Sequence, residues 1–193
     1  MPAHPLKRRL RAETVAAVLN IGEADRAARE ARILADVRAL PSYRAAATVL
    51  LYLKAFPEEI ETAPLVADAR ALGKRVVYPR VVSRAAGMVL HEIRGPSDLR
   101  PGTLNIPEPV PDAPVVAPGE LDWVLAPGVA FDLSCYRVGR GAGHYDRLLP
   151  RVRPEIEIWA AAFDVQIHEA LPVEPHDVPV TGVVTESRSF RRG

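Results

Sequence analysis

From Thr48 to Leu53 the chain reads Thr-Val-Leu-Leu-Tyr-Leu, without a single charge. A strand with one wet face alternates polar and apolar residues, so an unbroken run marks a strand covered on both faces, as parallel strands between helices are. Arg75-Val76-Val77-Tyr78, Trp123-Val124-Leu125, Ile156 to Ala161 and Gly182-Val183-Val184-Thr185 are further strand-like segments. Between the first two, Thr62 can cap a helix whose first turn tolerates Pro64 and which ends at Leu72 before Gly73. Strand, helix and strand then form a right-handed βαβ unit. The pattern predicts a three-layer α/β sandwich with a mainly parallel sheet. Ligands of such folds sit beyond the carboxyl ends of the strands, which points to the loops after Leu53, Tyr78, Leu125 and Ala162.

Two helices should precede this unit. Leu6, Leu10, Ala17, Val18 and Ile21 make an apolar stripe opposite a row of arginines, and Gly22 interrupts it. From about Asp25 to Leu40, Ala27, Ala31, Leu34 and Val37 recur at helical spacing until Pro41 stops the helix. Val81-Val82 and Met88-Val89-Leu90 flank a hairpin turn from Ser83 to Gly87. Ser97 to Arg100 predicts one helical turn, and prolines between Pro101 and Pro118 mark an irregular connection. A short helix should run from His144 to Leu149. No repeat or linker divides the chain, so residues 1–193 read as one domain.

A formal net charge of +1 gives no reason to expect nucleic-acid or membrane binding. Cys135 is the sole cysteine, so an internal disulfide is impossible and a reducing cytoplasm is the simplest setting. Lys7, Arg8, Arg9 and Arg11 before Val15 to Leu19 mimic a secretory leader, but Glu13 and Asn20 interrupt the stretch. Nothing marks an oligomer interface, and a monomer is expected.

The chemistry-bearing feature is Arg137-Val138-Gly139-Arg140-Gly141-Ala142-Gly143-His144-Tyr145-Asp146-Arg147. Alternating glycines let backbone N–H groups approach an anion, and Arg137, Arg140 and Arg147 bring forked donors suited to phosphate. The spacing is neither that of a Walker A loop nor that of a dinucleotide fingerprint. A tight strand-to-helix turn would use the same glycines.

This run, with Pro127-Gly128-Val129-Ala130-Phe131-Asp132 before it, resembles the signature of the 5-formyltetrahydrofolate cyclo-ligases. Lys7-Arg8-Arg9-Leu10-Arg11 is similar to that family's N-terminal Lys-x-x-Leu-Arg. Glu59-Ile60-Glu61-Thr62, Asn105-Ile106-Pro107-Glu108-Pro109 and Pro172-Val173-Glu174-Pro175-His176-Asp177 are similar to three later segments. The resemblance implies a fold of the CoA-transferase and sugar-phosphate-isomerase type. It implies ATP- and Mg2+-dependent cyclisation of 5-formyltetrahydrofolate to 5,10-methenyltetrahydrofolate, with ADP and phosphate released.

The site residues follow by the same resemblance. Lys7, Arg11, Arg137, Gly139, Arg140, Gly141, Ala142, Gly143, His144, Tyr145 and Asp146 would bind ATP. Arg137, Arg140 and Tyr145 would serve the reaction, Glu59 and Tyr145 the folate, and Asp146 and Asp177 the Mg2+. Read alone, Lys7 and Arg11 fit a solvated basic face, Asp146 a helix-start acid, Asp177 a turn residue and Glu59 an exposed loop acid. Tyr78 and Phe131 read as core. The sequence departs from some of the family at Ala142, where some members carry lysine and other bacterial ones a small residue, at His144, where tyrosine is common, and at Leu104, where some relatives place tryptophan. These departures leave open a non-catalytic folate- or nucleotide-binding relative.

Overall fold

The computed structural model describes residues 5–83, 86–102 and 107–193. Its central sheet is built from β1 (Thr48–Leu50), β2 (Arg75–Ser83), β3 (Gly87–Glu92), β6 (Val115–Val116), β7 (Trp123–Leu125), β10 (Glu157–Ala161), β12 (Gly182–Val184) and β13 (Ser189–Arg191). Their order across the sheet is β13-β12-β10-β7-β1-β2-β3-β6. The five strands from β12 to β2 run parallel, while β13, β3 and β6 add antiparallel edges.

The period of two sorts the central side chains onto two faces. Val49, Val76, Trp123, Trp159 and Val184 join one buried cluster. Their neighbours Leu50, Val77, Val124, Ala160 and Val183 join the other. Helices α2 (Glu23–Ala39), α3 (Pro41–Ala45) and α4 (Ala63–Ala71) cover the first face through Leu34, Tyr43 and Leu65. Helix α5 (His144–Leu148) and the 3-10 turn Leu149–Arg151 cover the second. That is the predicted three-layer α/β arrangement with a mainly parallel sheet.

Several local expectations change. The apolar run from Thr48 supplies a strand of only three residues, because after Leu51, whose amide still donates to the Val77 carbonyl, Tyr52 and Leu53 turn to form a wall of the cleft described below. Val81-Val82 are not a separate strand; β2 runs through from Arg75, and its hairpin partner β3 pairs as far as Val77. The turn residues Arg84 and Ala85, and Leu104, Asn105 and Ile106 of the proline-rich segment, lie outside the described residues. Thr62 starts α4, but its hydroxyl donates to the Tyr52 carbonyl (2.6 Å) rather than capping the helix. Pro41 both ends α2 and begins α3.

The two N-terminal helices keep most of the expected inward stripe, with Leu10, Val18, Ile21, Leu34 and Val37 packed in or against the core, but add polar residues to it. In α1 (Pro5–Leu19), Leu6 is exposed, whereas Lys7, Thr14 and Val18 are buried. In α2, Ala27 and Ala31 are exposed, and the inward face runs through the half-buried Arg26 and Glu30 to Ile33, Leu34 and Val37. Polar partners supplied by the tertiary fold explain why Lys7, Arg26 and Glu30 turn inward as well.

Two smaller sheets complete the fold. Strands β8 (Ala130–Asp132), β9 (Arg137–Val138) and β11 (Ile167–His168) pair beside the main sheet. Strands β4 (Leu99–Pro101) and β5 (Pro107–Pro109) pair within the proline-rich stretch. Helix α1 anchors to β11 through Thr14 Oγ1 and His168 Nε2, 3.0 Å apart.

Candidate functional site

A cleft of about 930 Å3 opens beyond the carboxyl ends of β1, β2 and β7. Tyr52 and Leu53 follow β1, Tyr78 and Pro79 lie where β2 passes β1, and Pro127 and Gly128 follow β7. The connection that follows Ala162 reaches the same cleft through Glu174, His176 and Asp177. Every residue named from the sequence as a site residue lines this one cleft: Lys7, Arg11, Glu59, Arg137, Gly139, Arg140, Gly141, Ala142, Gly143, His144, Tyr145, Asp146 and Asp177.

The run Pro127 to Asp132 before the glycines is scaffold. Asp132 is buried and accepts from the amides of Ser134 (3.0 Å), Tyr136 (2.9 Å) and Leu171 (3.1 Å). It closes the turn that carries Cys135 at φ 63°. Gly128 leaves room for Phe131, whose ring would meet an added Cβ at 2.5 Å. Phe131 is core, as expected; Tyr78 is buried yet also lines the cleft. Burial raises the Cys135 thiol to about 11, which keeps it protonated and unreactive near neutrality.

The glycine-rich loop needs its glycines for different reasons. Gly141 and Gly143 have φ of 95° and 64°, where a side chain is strained. Gly139 has no such conformation, and an added Cβ there would meet nothing within 4 Å. The space it leaves belongs to the cleft, so an anion can approach its backbone closely. Arg11 reaches across from α1 and donates to the Gly139 carbonyl at 2.6 Å.

Arg137 is fixed from two sides. Its guanidinium donates to Asp146 Oδ1 (3.0 Å) and to the Val178 carbonyl. Burial pulls its pKa down and the Asp146 charge opposes that, so the group stays a cation. Asp146 also accepts from the Val178 amide at 3.3 Å, which ties α5 to the segment after Asp177. Arg140 pairs with Glu58 and lies 3.7 Å above the Phe56 ring.

Lys7 projects from the buried face of α1 onto Glu174 (2.8 Å) and Asp177 (2.5 Å). Burial disfavours its ammonium, but the hydrogen bonds and charges of Asp177 and Glu174 outweigh that and hold its pKa above the ordinary value. Ligand atoms of Glu174, His176 and Asp177 lie within 4.8 Å of one another. Asp146, expected to share a metal with Asp177, is outside that cluster and bound to Arg137.

The opposite wall is less charged. The Glu59 carboxylate accepts from the amides of Ala55 (2.7 Å) and Phe56 (3.2 Å). Burial raises its pKa above the usual value despite those bonds. Arg26 steadies the same turn from outside, donating to the Glu59 carbonyl at 2.7 Å. The Tyr145 hydroxyl is buried, with no hydrogen-bond partner among the described residues. Burial, opposed by Arg137, pushes its pKa far above the ordinary phenol value, so it is a proton-bearing donor at neutral pH. Tyr52, Val81, Val82 and Met88 add apolar surface. Sequence reasoning passed over Tyr52, Glu58, Glu174 and Met88. The one available signal was that Tyr52 lies next to the carboxyl end of the apolar run, where a ligand-facing residue belongs.

The fold and site together define an α/β protein with an anion-suited cleft at the carboxyl edge of its parallel strands. Residues 3–186 match the 5-formyltetrahydrofolate cyclo-ligase family, so the chain belongs to that family and to the ligases. A 5-formyltetrahydrofolate cyclo-ligase of Escherichia coli K12 is 38% identical over 144 residues, covering 73% of this chain and 79% of the relative. One from Mycolicibacterium smegmatis is 40% identical over 125 residues, covering 62% of this chain and 63% of the relative's length. The solved structure of Aquifex aeolicus 5,10-methenyltetrahydrofolate synthetase superposes with a TM-score of 0.84 at 32% identity, covering 96% of this chain and 92% of that one.

Proposed function

We propose that this protein cyclises 5-formyltetrahydrofolate to 5,10-methenyltetrahydrofolate, using ATP and releasing ADP and phosphate. The observation that carries the reading is one cleft with two unlike walls. Arg11, Arg137, Arg140 and the open backbone of Gly139 suit polyphosphate, while Tyr52, Tyr78, Met88 and Glu59 suit a flat, partly apolar heterocycle. A volume of about 930 Å3 is at the upper end for a small-molecule site, as two substrates require.

In the reaction, the formyl oxygen attacks the γ-phosphorus and ADP leaves. The N10 nitrogen then attacks the activated formyl carbon, and the C–O bond breaks to release phosphate. The substrate supplies both nucleophiles, so the protein need only position the reactants and stabilise charge. Arg137, held by Asp146 and Val178, offers an oriented charge to the transferring phosphoryl group. Arg140 and Arg11 flank it from the loop and from α1. The unpartnered Tyr145 hydroxyl is set to donate to an oxygen of the formyl or phosphoryl group, and Glu59 orients the folate ring.

The donor set fits Mg2+ in part. Asp177, Glu174 and Asp146 bring the oxygen donors a hard ion prefers, whereas His176 brings nitrogen. Asp177 and Glu174 would hold the ion, with His176 beside them, while Asp146 stays with Arg137; once bound, the ion would supply charge neutralisation for the phosphates. In the chain itself Lys7 supplies that positive charge. No helix among the described residues is long and apolar enough to cross a membrane.

The test is absorbance of the purified protein with ATP, Mg2+ and 5-formyltetrahydrofolate. Growth of the methenyl chromophore that depends on ATP at a catalytic rate supports the reading. ATP consumption without methenyl product, or folate binding without turnover, would overturn it.

A further inference from the structure

We propose that Glu58 is a positioning residue that aims Arg140 into the cleft, so that the acidic turn before α4 and the glycine-rich loop act as one unit. The proposal deepens the reading above, which gives Arg140 its work.

Glu58 is 2% exposed, although it sits in a turn where an acid ordinarily faces water. One of its oxygens, Oε1, accepts from Arg140 Nη2, across 82 residues of sequence. The other, Oε2, is buried with no hydrogen-bond partner among the described residues. The fold therefore keeps a desolvated carboxylate for a single contact. Removing Arg140 from it would strand an uncompensated buried charge.

Arg140 is gripped a second time from the same turn. Its guanidinium lies over the Phe56 ring at 3.7 Å, within range for a cation–π contact. Acid at its edge and ring at its face fix the plane of the fork, and the Arg140 side chain, 42% exposed, keeps its remaining donors at the cleft wall. The turn is itself held shut, because Glu59 accepts from the amides of Ala55 and Phe56 and Arg26 binds the Glu59 carbonyl. Adjacent acids thus divide the work: Glu59 fixes the turn and faces the cleft, and Glu58 carries the turn's rigidity to the opposite loop. A preset guanidinium needs no reorganisation when phosphoryl charge develops, which is where fixed donors gain most. Any movement of the Glu59 side, where the folate would lie, is also transmitted to Arg140.

Two readouts test this, one of them independent of turnover. Arginine-selective labelling with phenylglyoxal is followed by peptide mass spectrometry, with exposed Arg9 as internal reference. Glu58→Gln should raise the Arg140-to-Arg9 labelling ratio by about threefold or more, because a charge-assisted contact is lost. An unchanged ratio overturns the clamp whatever the enzyme does. In steady-state assays, Glu58→Gln should lower kcat by roughly tenfold or more with the KM for ATP within about threefold, the pattern of a lost transition-state contact. Arg140→Gln should lower kcat at least as much, and the double variant should be no worse than Arg140→Gln alone. Effects of the two substitutions that multiply, or a lower melting temperature with kcat intact, would make Glu58 merely structural. If Glu58→Gln melts early, the kinetic cycle is read well below both transitions. A wild-type protein that makes no methenyl product overturns the functional reading, and the labelling ratio still decides the clamp.

Discussion

The two walls of the cleft are made in different ways. The wall of Lys7, Arg11, Arg137 and Arg140 is assembled from distant segments, each cation tied to an acid or a carbonyl elsewhere in the chain. The wall of Tyr52, Tyr78, Val81, Val82 and Met88 is continuous with β1, β2 and β3, and the backbone ladder sets it. The first is an electrostatic wall that depends on pairing. The second is a packed wall that depends on register. Damage to the first should propagate through partners left uncompensated, whereas damage to the second should stay local.

The largest effect should come from Arg137→Ala, which strands Asp146 and the Val178 carbonyl. Breaking a buried pair from one side costs about 3–5 kcal/mol of stability, and turnover should fall roughly 1000-fold. A urea melt beside a kinetic assay checks both, and a variant that keeps its stability would show the wall to be less interdependent than drawn. Next, Gly143→Val forces a side chain into φ 64° and brings Cβ to 3.2 Å from Arg147 Nη1. The backbone term alone should cost about 1–2 kcal/mol, and phosphate-dependent steps should slow with it.

Tyr145→Phe separates chemistry from stability. The lost hydroxyl has no partner among the described residues, so the melting temperature should hold or rise, while kcat drops about tenfold. A clear loss of stability would mean that the hydroxyl is satisfied within the fold. On the packed wall, Met88→Ala should raise the KM for the folate about fivefold, with ATP parameters and their salt dependence unchanged. Equal effects on both substrates would erase the division between walls.

The smallest expected effect is Glu59→Gln on stability without ligands. Burial raises the folded pKa of Glu59 above its unfolded value, so the native state holds more protons than the unfolded state between the two. Stability from this group is full below the unfolded pKa and declines as pH rises through the folded one. Glu59→Gln removes that decline and should melt about 1–2 °C higher than wild type at pH 7 but not at pH 4. A gain of the same size at both pH values would sink the burial argument, while loss of folate turnover would sharpen the case that Glu59 faces substrate.

Much of the fold was legible locally. The unbroken run from Thr48, the strand at Trp123 and the helix ending at Gly73 all stand where pattern and turn chemistry put them, because period and burial on both faces are properties of a few neighbouring residues. The turn before α5 was legible too, since Gly141 and Gly143 hold the positive φ that a tight strand-to-helix turn uses. The faces of α1 and α2 were read in part, and their polar inward residues were missed for one reason. Apolar periodicity assumes that the inward face is apolar, but Lys7 is buried onto Glu174 and Asp177, and Arg26 onto the turn at Glu59.

The sequence by itself thus determined the layer architecture, the end of the sheet that carries the cleft, and the loop that gives it its anion-facing backbone. Only the tertiary structure decided how the charges are paired: Lys7 with residues 167 and 170 positions away, Arg140 with Glu58, and Arg137 with Val178. Secondary structure follows from steric and solvation preferences that each residue shares with its neighbours. An ion pair depends on a distance of a few ångströms between side chains, and across such stretches of chain only the completed packing sets that distance.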